Sequence, residues 1–275
     1  MKIAIQGELG SFSHEAALKL EPDAEIAPYA LSAEVFGALA GEAVDCAVIP
    51  IENSLAGSVL EHFDLLLSHD VLVERETLIR IRHNLIAMAG AKMEEIDRVF
   101  SHPVALAQCR KFLALHPNMQ SFAYYDTAGS VKHLMELRDR RAAGIASEAA
   151  ARVYGAEVLA AEIEDNPENY TRFFLIKRAA EVPENAGANK MSLAFSVQNR
   201  PGSLVEALSE LRTMGTNLTK IESRPVHGKP WEYIFYVDCQ LRNRQEGERA
   251  IEALQPHCDL MKKLGMYEAG SRDRE

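Results

Sequence analysis

The chain has 275 residues, 47% of them hydrophobic and 25% charged, the proportions of a globular protein with room for one large domain or two smaller ones. Its net charge of −10 argues against a nucleic-acid footprint, and an anionic ligand would need a local site that outweighs the global field. No apolar run approaches the ~20 residues of a membrane span, and the N-terminal MKIAIQGELGS turns polar too soon for a secretion signal. The expectation is a cytoplasmic protein without membrane or nucleic-acid partners.

In chain order, KIAIQ reads as a short strand, followed by GELGSF and the helical SHEAALKL. VDCAVIP is a buried strand leading through IENSLAGS into a helix ending in VLEHFDLLL. IDRVFSHP is a strand that runs into the helix VALAQCRKFLAL, and FAYYDTAGS runs into VKHLMELR. AAGIAS, the helix EAAARVY and the strand TRFFLI follow. This alternation predicts α/β layers with largely parallel strands. Residues 179–190, AAEVPENAGANK, lose periodicity and read as a linker. Beyond it come strand MSLAFSV, helix GSLVEALSELRTM, strands LTKIESR and YIFYVDC, helix QEGERAIEAL and a last strand in DLMKKLGMY. That βαββαβ order is the ferredoxin-like arrangement. The predicted domains are 1–180 and 190–275.

Cys46, Cys109, Cys239 and Cys258 form no CxxC pair and read as buried free thiols in a reducing compartment. The nine histidines form neither HExxH nor a Cys/His cluster, so no metal site is expected. The chain lacks GxGxxG, a P-loop and GxSxG, which removes support for a dinucleotide cofactor, a phosphate cradle and a hydrolase elbow.

Four strand-to-helix junctions are the candidate site: Gly7–Ser13, Pro50–Gly57, Ser101-His102-Pro103, and Asp126–Gly129 with Thr127 as the expected N-cap. Parallel strands would gather them at one side of a sheet, where open α/β folds bind ligands, and helix N-termini suit carboxylates. Taken singly, each is also what an ordinary turn or cap requires. NYTRFFLI, residues 169–176, adds an amide, a phenol, a hydroxyl and a guanidinium at the entrance of a buried strand. Thr171 and Arg172 are strand neighbours, so a regular strand presents one of them to a cleft and turns the other away.

GELGSFSHEAA, IPIENSLAGSV, SHPVALAQC, DTAGSV and NYTRFFLI, in this order, resemble the prephenate dehydratase family, and NRPGSLVEAL with NLTKIESRP and PWEYIFYVD resemble its C-terminal ACT domain. The family usually carries Thr where Ser11 stands, which keeps the hydroxyl, and Gln where Val104 stands, which removes an amide. The resemblance implies a periplasmic-binding-protein-like (type 2) catalytic domain, two α/β lobes around a cleft, followed by a ferredoxin-like ACT regulatory domain. It implies cofactor-free conversion of prephenate to phenylpyruvate, carbon dioxide and water in phenylalanine biosynthesis. It further implies inhibition by L-phenylalanine and a homodimer or dimer of dimers formed through ACT domains. With no chorismate mutase segment before residue 1, the monofunctional form is expected. Arogenate dehydratase remains open as an alternative, and a non-catalytic amino-acid sensor as a more distant one.

On matching positions, Thr171 is the expected catalytic hydrogen-bond donor, with Glu52 the competing acid. Asn53, Ser101 and Gln108 match positions that bind or orient substrate. Ser11, Ser13 and Thr127 are further substrate-binding candidates. Arg172 either pairs a substrate carboxylate or forms a structural ion pair, and His102 reads as a junction residue. The expected phenylalanine site comprises Asn199, Pro201, Gly202, Ser203, Leu204, Asn217, Leu218, Glu222, Ser223 and Arg224. There Gly202 permits close backbone approach, the helix start faces a carboxylate, and Glu222 meets an ammonium.

Overall fold

In the computed structural model of the protein, residues 1–226, 228–229 and 231–271 are described; Pro230, the first residue of PWEYIFYVD, and the chain beyond 271 lie outside them. The described chain divides into two compact units, one of residues 1–60 with 77–173 and the other of residues 61–76 with 174–271.

The first unit starts with β1 (Lys2–Gln6), α1 (Phe12–Leu20), β2 (Glu25–Tyr29), α2 (Ser32–Ala40), β3 (Cys46–Asn53) and β4 (Gly57–Ser58). The chain then forms α3 (Leu60–Ser68) and β5 (Val71–Arg80), which belong mostly to the second unit. It returns as β6 (Asn84–Ala87), β7 (Arg98–Ser101), α4 (Pro103–Gln108), α5 (Arg110–Leu115), β8 (Gln120–Ala123), α6 (Thr127–Leu137), β9 (Ala142–Ala146), α7 (Glu148–Tyr154) and β10 (Glu157–Ala160). β11 (Tyr170–Arg178) starts in the first unit and ends in the second. Two sheets result. In one, β1 lies between β2 and β3, parallel to both, and β11 follows β3. The other runs β10-β6-β9-β7-β8, with β7 parallel to β8 and β9 but β6 antiparallel to β9 and β10. The predicted parallel strands are present, mixed with antiparallel ones at β6 and β10.

The expected continuous helix over 104–115 is broken. Cys109 leaves helical geometry (φ −119°, ψ 27°) although no Gly or Pro is near. Asp165 is the cause: its backbone N–H donates to the Gln108 carbonyl at 2.7 Å, and its carboxylate accepts from the Lys111 N–H at 2.9 Å. Each bond replaces one that a continuing helix would make, so α4 stops and α5 restarts.

The second unit holds β12 (Lys190–Ser196), α8 (Ser203–Thr213), β13 (Asn217–Pro225), β14 (Tyr233–Gln240), α9 (Arg244–Leu254) and β15 (Leu260–Tyr267). Strand order β13-β14-β12-β15 is the ferredoxin-like one, and the pairs are antiparallel. Its core sets Met191, Leu193 and Phe195 of β12 against Ala207 and Leu211 of α8 and Ala250 and Leu254 of α9. Residues 61–76 contribute to this unit: the Phe63 ring lies 4.8 Å from that of Tyr236, Val73 pairs with Gly265, and Lys262 Nζ donates to the carbonyls of Leu66, Leu67 and His69 at the end of α3.

Candidate active site

The four junctions converge on one cavity of about 490 Å³ in the first unit. Gly7, Ser11, Phe12 and Ser13 line it from the first, Asn53 and residues 56–59 from the second, His102, Val104 and Gln108 from the third, and Tyr125, Asp126 and Thr127 from the fourth. Thr171 and Phe173 close it from β11, and Ile81 and His83 from the segment between β5 and β6.

Gly7 shows how close the junctions come. Its φ is +96°, and a Cβ there would stand 2.7 Å from Asp126 Oδ2. Ser11 caps α1, its hydroxyl accepting from the His14 N–H at 3.3 Å, so the amides of Phe12 and Ser13 are the first-turn donors without a helical partner. At α6 the cap is Asp126 rather than the expected Thr127: a carboxylate is the stronger acceptor, and it takes the Gly129 N–H at 2.7 Å. Thr127 becomes the first helical residue and faces the cavity. Burial raises the Asp126 pKa above the ordinary carboxyl value, against the lowering effect of the Gly129 N–H. Nearby Glu8 is likewise penalised by burial, but hydrogen bonds from Tyr125 (2.7 Å) and Lys132 (3.0 Å) bring its pKa below the usual range. No lysine or arginine is among the described residues lining the cavity.

Asn53 organises the centre. Its Oδ1 accepts from the backbone N–H groups of Leu55 (3.0 Å) and Ala56 (2.8 Å), which fixes the amide. Its Nδ2 therefore points the other way, donating to Thr171 Oγ1 at 2.9 Å and Asn169 Oδ1 at 2.8 Å. Asn169 in turn donates from Nδ2 to Gln108 Oε1 at 3.0 Å, and His83 Nε2 meets the same oxygen at 2.9 Å. A hydroxyl that accepts from Asn53 keeps its own proton to donate, and the Thr171 O–H has no acceptor among the described residues. The Gln108 Nε2 amide is likewise without a protein partner there.

Ser101 and Arg172 do not reach the cavity. Ser101 is fully buried and donates to the Ile145 carbonyl at 2.6 Å, so its hydroxyl is consumed by the second sheet. Arg172 follows the strand alternation: with Thr171 facing the cavity it turns away, is 7% exposed, and pairs with Glu52 at 3.9 Å. That ion pair also gives Glu52 a structural partner. His102 is a junction residue as expected, its Nδ1 accepting from the Val104 N–H at 3.3 Å.

His83 belongs to the site but is absent from the sequence-based set, and Asn169 was read there only as part of the polar strand entrance, without a role of its own. Asn169 opens the quoted NYTRFFLI and is fully buried; period-two alternation places it on the same face as Thr171. His83 sits in IRHNLI, a segment whose bend between two strands carries no turn signal.

In the second unit Gly202 caps α8 with φ +90°, the left-handed conformation that favours glycine. Ser203 behind it is 4% exposed and its Oγ has no hydrogen-bond partner among the described residues. Asn199 lines a separate cavity of about 520 Å³ with Lys229 and Glu232. Pro201, Asn217 and Ser223 are exposed, while Leu204 and Leu218 pack against the core and so have a structural role of their own. Arg224 Nε donates to Asp64 Oδ1 at 3.2 Å, and Glu222 lies 3.8 Å from Lys220.

Fold and site define a class: an α/β domain with a hydroxyl-bearing ligand cavity, followed in the chain by a ferredoxin-like ACT domain. The chain belongs to the prephenate dehydratase family. The family profile described as Prephenate dehydratase matches residues 3–181, and the profile of the ACT domain matches 191–255. The chain is 37% identical to arogenate dehydratase/prephenate dehydratase 2, chloroplastic, of Arabidopsis thaliana, over 97% of this chain and 72% of that protein. It is also 37% identical to the bifunctional chorismate mutase/prephenate dehydratase of Stutzerimonas stutzeri, over 97% and 73%. Among solved structures, the prephenate dehydratase of Arthrobacter aurescens in complex with L-Phe superposes with a TM-score of 0.89 at 30% identity, covering 98% of this chain and 90% of that one. Among the described residues no helix is long and apolar enough to cross a membrane.

Proposed function

We propose that this protein converts prephenate to phenylpyruvate, carbon dioxide and water, and that phenylalanine binding to its ACT domain inhibits the reaction. The observation that carries the catalytic reading is the Thr171 hydroxyl in the cavity lining, fixed as an acceptor of the Asn53 amide, with no acceptor for its own proton among the described residues. In the reaction the bond between the ring and its carboxylate breaks, and its electron pair enters the ring as CO2 departs. The ring C–O bond breaks with its pair on oxygen, which takes one proton, supplied in the end by solvent, and leaves as water. Thr171 assists by donating a hydrogen bond to that oxygen as charge develops on it.

Holding a dianion without a lysine or arginine in the lining falls to neutral donors. The Phe12 and Ser13 amides at the start of α1, the hydroxyls of Ser11, Ser13 and Thr127, and the Gln108 amide are the groups we assign to it. Asp126 favours a second substrate. Its carboxylate lines the cavity, and arogenate differs from prephenate by an ammonium that a carboxylate attracts.

The effector reading rests on Gly202, the unpartnered buried Ser203 hydroxyl behind it, and the family's ACT domain. We further assign a homodimer or dimer of dimers through ACT domains, supported by the exposed Val205, Ile221, Trp231 and Tyr233 of the second unit. A cytoplasmic location is supported by four free cysteines, as a reducing compartment leaves them. The test is turnover of prephenate and of arogenate by the purified protein, with and without phenylalanine. Turnover of neither would leave the protein an amino-acid sensor.

A further inference from the structure

The hydrogen bonds around Asn53 fix more than the Thr171 hydroxyl. They start at two backbone N–H groups, which cannot reverse, and each step fixes the next. The Leu55 and Ala56 amides set Asn53, Asn53 sets Asn169, and Asn169 sets Gln108 with its carbonyl turned inward. A carbonyl oxygen that already accepts from Asn169 meets His83 Nε2 at 2.9 Å, so Nε2 is the protonated ring nitrogen. Nδ1 is then a bare lone pair, and it is buried without a partner among the described residues. The ring is 3% exposed and held edge-on by Phe12 at 5.7 Å between centroids.

We propose that His83 is a positioning residue of the active site, present as the neutral Nε2–H tautomer, and that it acts by holding the Gln108 side chain so that its amide N–H groups face the substrate. The inference rests on the reading of the cavity as the substrate site. Gln108 needs such a holder. It is the last residue of α4, where the helix breaks at Cys109, and glutamine has one of the larger rotamer entropies to lose on ordering. Two donors on one oxygen orient the amide plane, whereas Asn169 alone leaves it free to turn about a single hydrogen bond. The carboxylate beside His83 is Glu164, whose Oε2 accepts from the His83 backbone N–H at 2.9 Å, and a neutral imidazole supplies the second donor without placing a positive charge against the ligand.

The experiment is a double-mutant cycle between His83→Phe and Gln108→Leu on prephenate, with His83→Gln as the conservative variant and a ring-nitrogen NMR spectrum of the wild-type histidines. His83→Phe is expected to raise KM about three- to tenfold, the weight of one hydrogen bond between neutral groups, with a smaller change in kcat. It is expected to add nothing in the Gln108→Leu background, while His83→Gln, which keeps an N–H donor, restores most of the loss. The spectrum is expected to show a neutral His83 protonated on Nε2. Additive losses, a fall in kcat as large in Gln108→Leu as in wild type, or a ring protonated on Nδ1 would each overturn the proposal. The spectrum needs no turnover, so a wild-type protein inactive on prephenate would count against the proposed function and leave the tautomer to be decided by NMR.

Discussion

Asn53→Asp is the most informative single-atom change in this site. Aspartate preserves the shape, and its Oδ1 still accepts from the Leu55 and Ala56 N–H groups, so the loop and the fold are kept. The other position changes from a two-proton donor to an acceptor, 2.9 Å from Thr171 Oγ1 and 2.8 Å from Asn169 Oδ1. Asn169 answers by turning its amide, which sets its Oδ1 against Gln108 Oε1 and disturbs Gln108 as well. Thr171 answers by donating its only proton to the new carboxylate instead of to the substrate. Freeing that proton means breaking a hydrogen bond to a charged group, worth about 1.5–3 kcal/mol, or roughly one to two decades in rate at about 1.4 kcal/mol per decade. The added negative charge also faces a dianionic substrate, so KM rises as well. The expected result is a kcat lowered by about 10- to 10²-fold, a larger loss in kcat/KM, and near-wild-type thermal stability. Steady-state kinetics of phenylpyruvate formation measure it. Activity should climb as pH falls into the carboxyl range, because the introduced carboxyl group, once protonated, donates again. If Asn53→Asp turned over at the wild-type rate at neutral pH, the direction of the Thr171 proton would be irrelevant and the donor assignment wrong.

Three further outcomes are expected. Gly202→Val places a branched residue at φ +90°, where the added Cβ meets only Glu206 Oε1 at an ordinary 3.6 Å; the cost is backbone strain of about 1–3 kcal/mol, and phenylalanine titrations should show inhibition lost with basal turnover retained. A chain ending near residue 180 should fail to fold cooperatively by circular dichroism, since Phe63, Leu66, Val71 and Val73 are buried in the unit built mainly from 174–271 and together account for roughly 6–12 kcal/mol of burial. The pH dependence of stability follows from His14, His83 and His102, whose pKa values burial holds below the ordinary imidazole value. The unfolded chain then takes up protons first, so stability is full above the unfolded value of about 6.5 and falls as pH drops through it; melting temperatures between about pH 7.5 and 6 should decline, less steeply in His83→Phe. An unchanged slope in that variant would contradict the burial argument.

Most of the fold was legible because its signals are local. β12 is a short strand whose apolar Met191, Leu193, Ala194 and Phe195 are broken only by Ser192, and Asn243 and Ser147 are ordinary caps that mark the starts of α9 and α7. β5 was not assigned: VLVERETLIR interrupts alternation with charges, and only its neighbours explain them, Glu74 pairing Lys177 and Glu76 pairing Lys190. The break at Cys109 is set by Asp165, which follows β10 in the chain, and no local pattern carries that information. In the site, the junctions were readable from residue types at strand ends, whereas Thr171 was singled out by its match to the family's motif. Whether Arg172 faced the cavity turned on Glu52 of β3, and the loss of Ser101 turned on the Ile145 carbonyl of β9, both long-range partners. His83 was missed for the same reason: its role lies in what it touches, since an isolated histidine between strands is ordinarily a core residue.

The central claim is that a neutral hydroxyl at Thr171 assists loss of water from a prephenate-like substrate. The most direct measurement compares wild type and Thr171→Val for phenylpyruvate formation from saturating prephenate. Valine keeps the shape, and Asn53 retains Asn169 as a partner, so folding should be nearly unaffected. The account predicts turnover by the wild type and a kcat lower by ~10²–10⁴ in the variant, the range of general acid help, with KM changed little. Equal rates from the two proteins would contradict it.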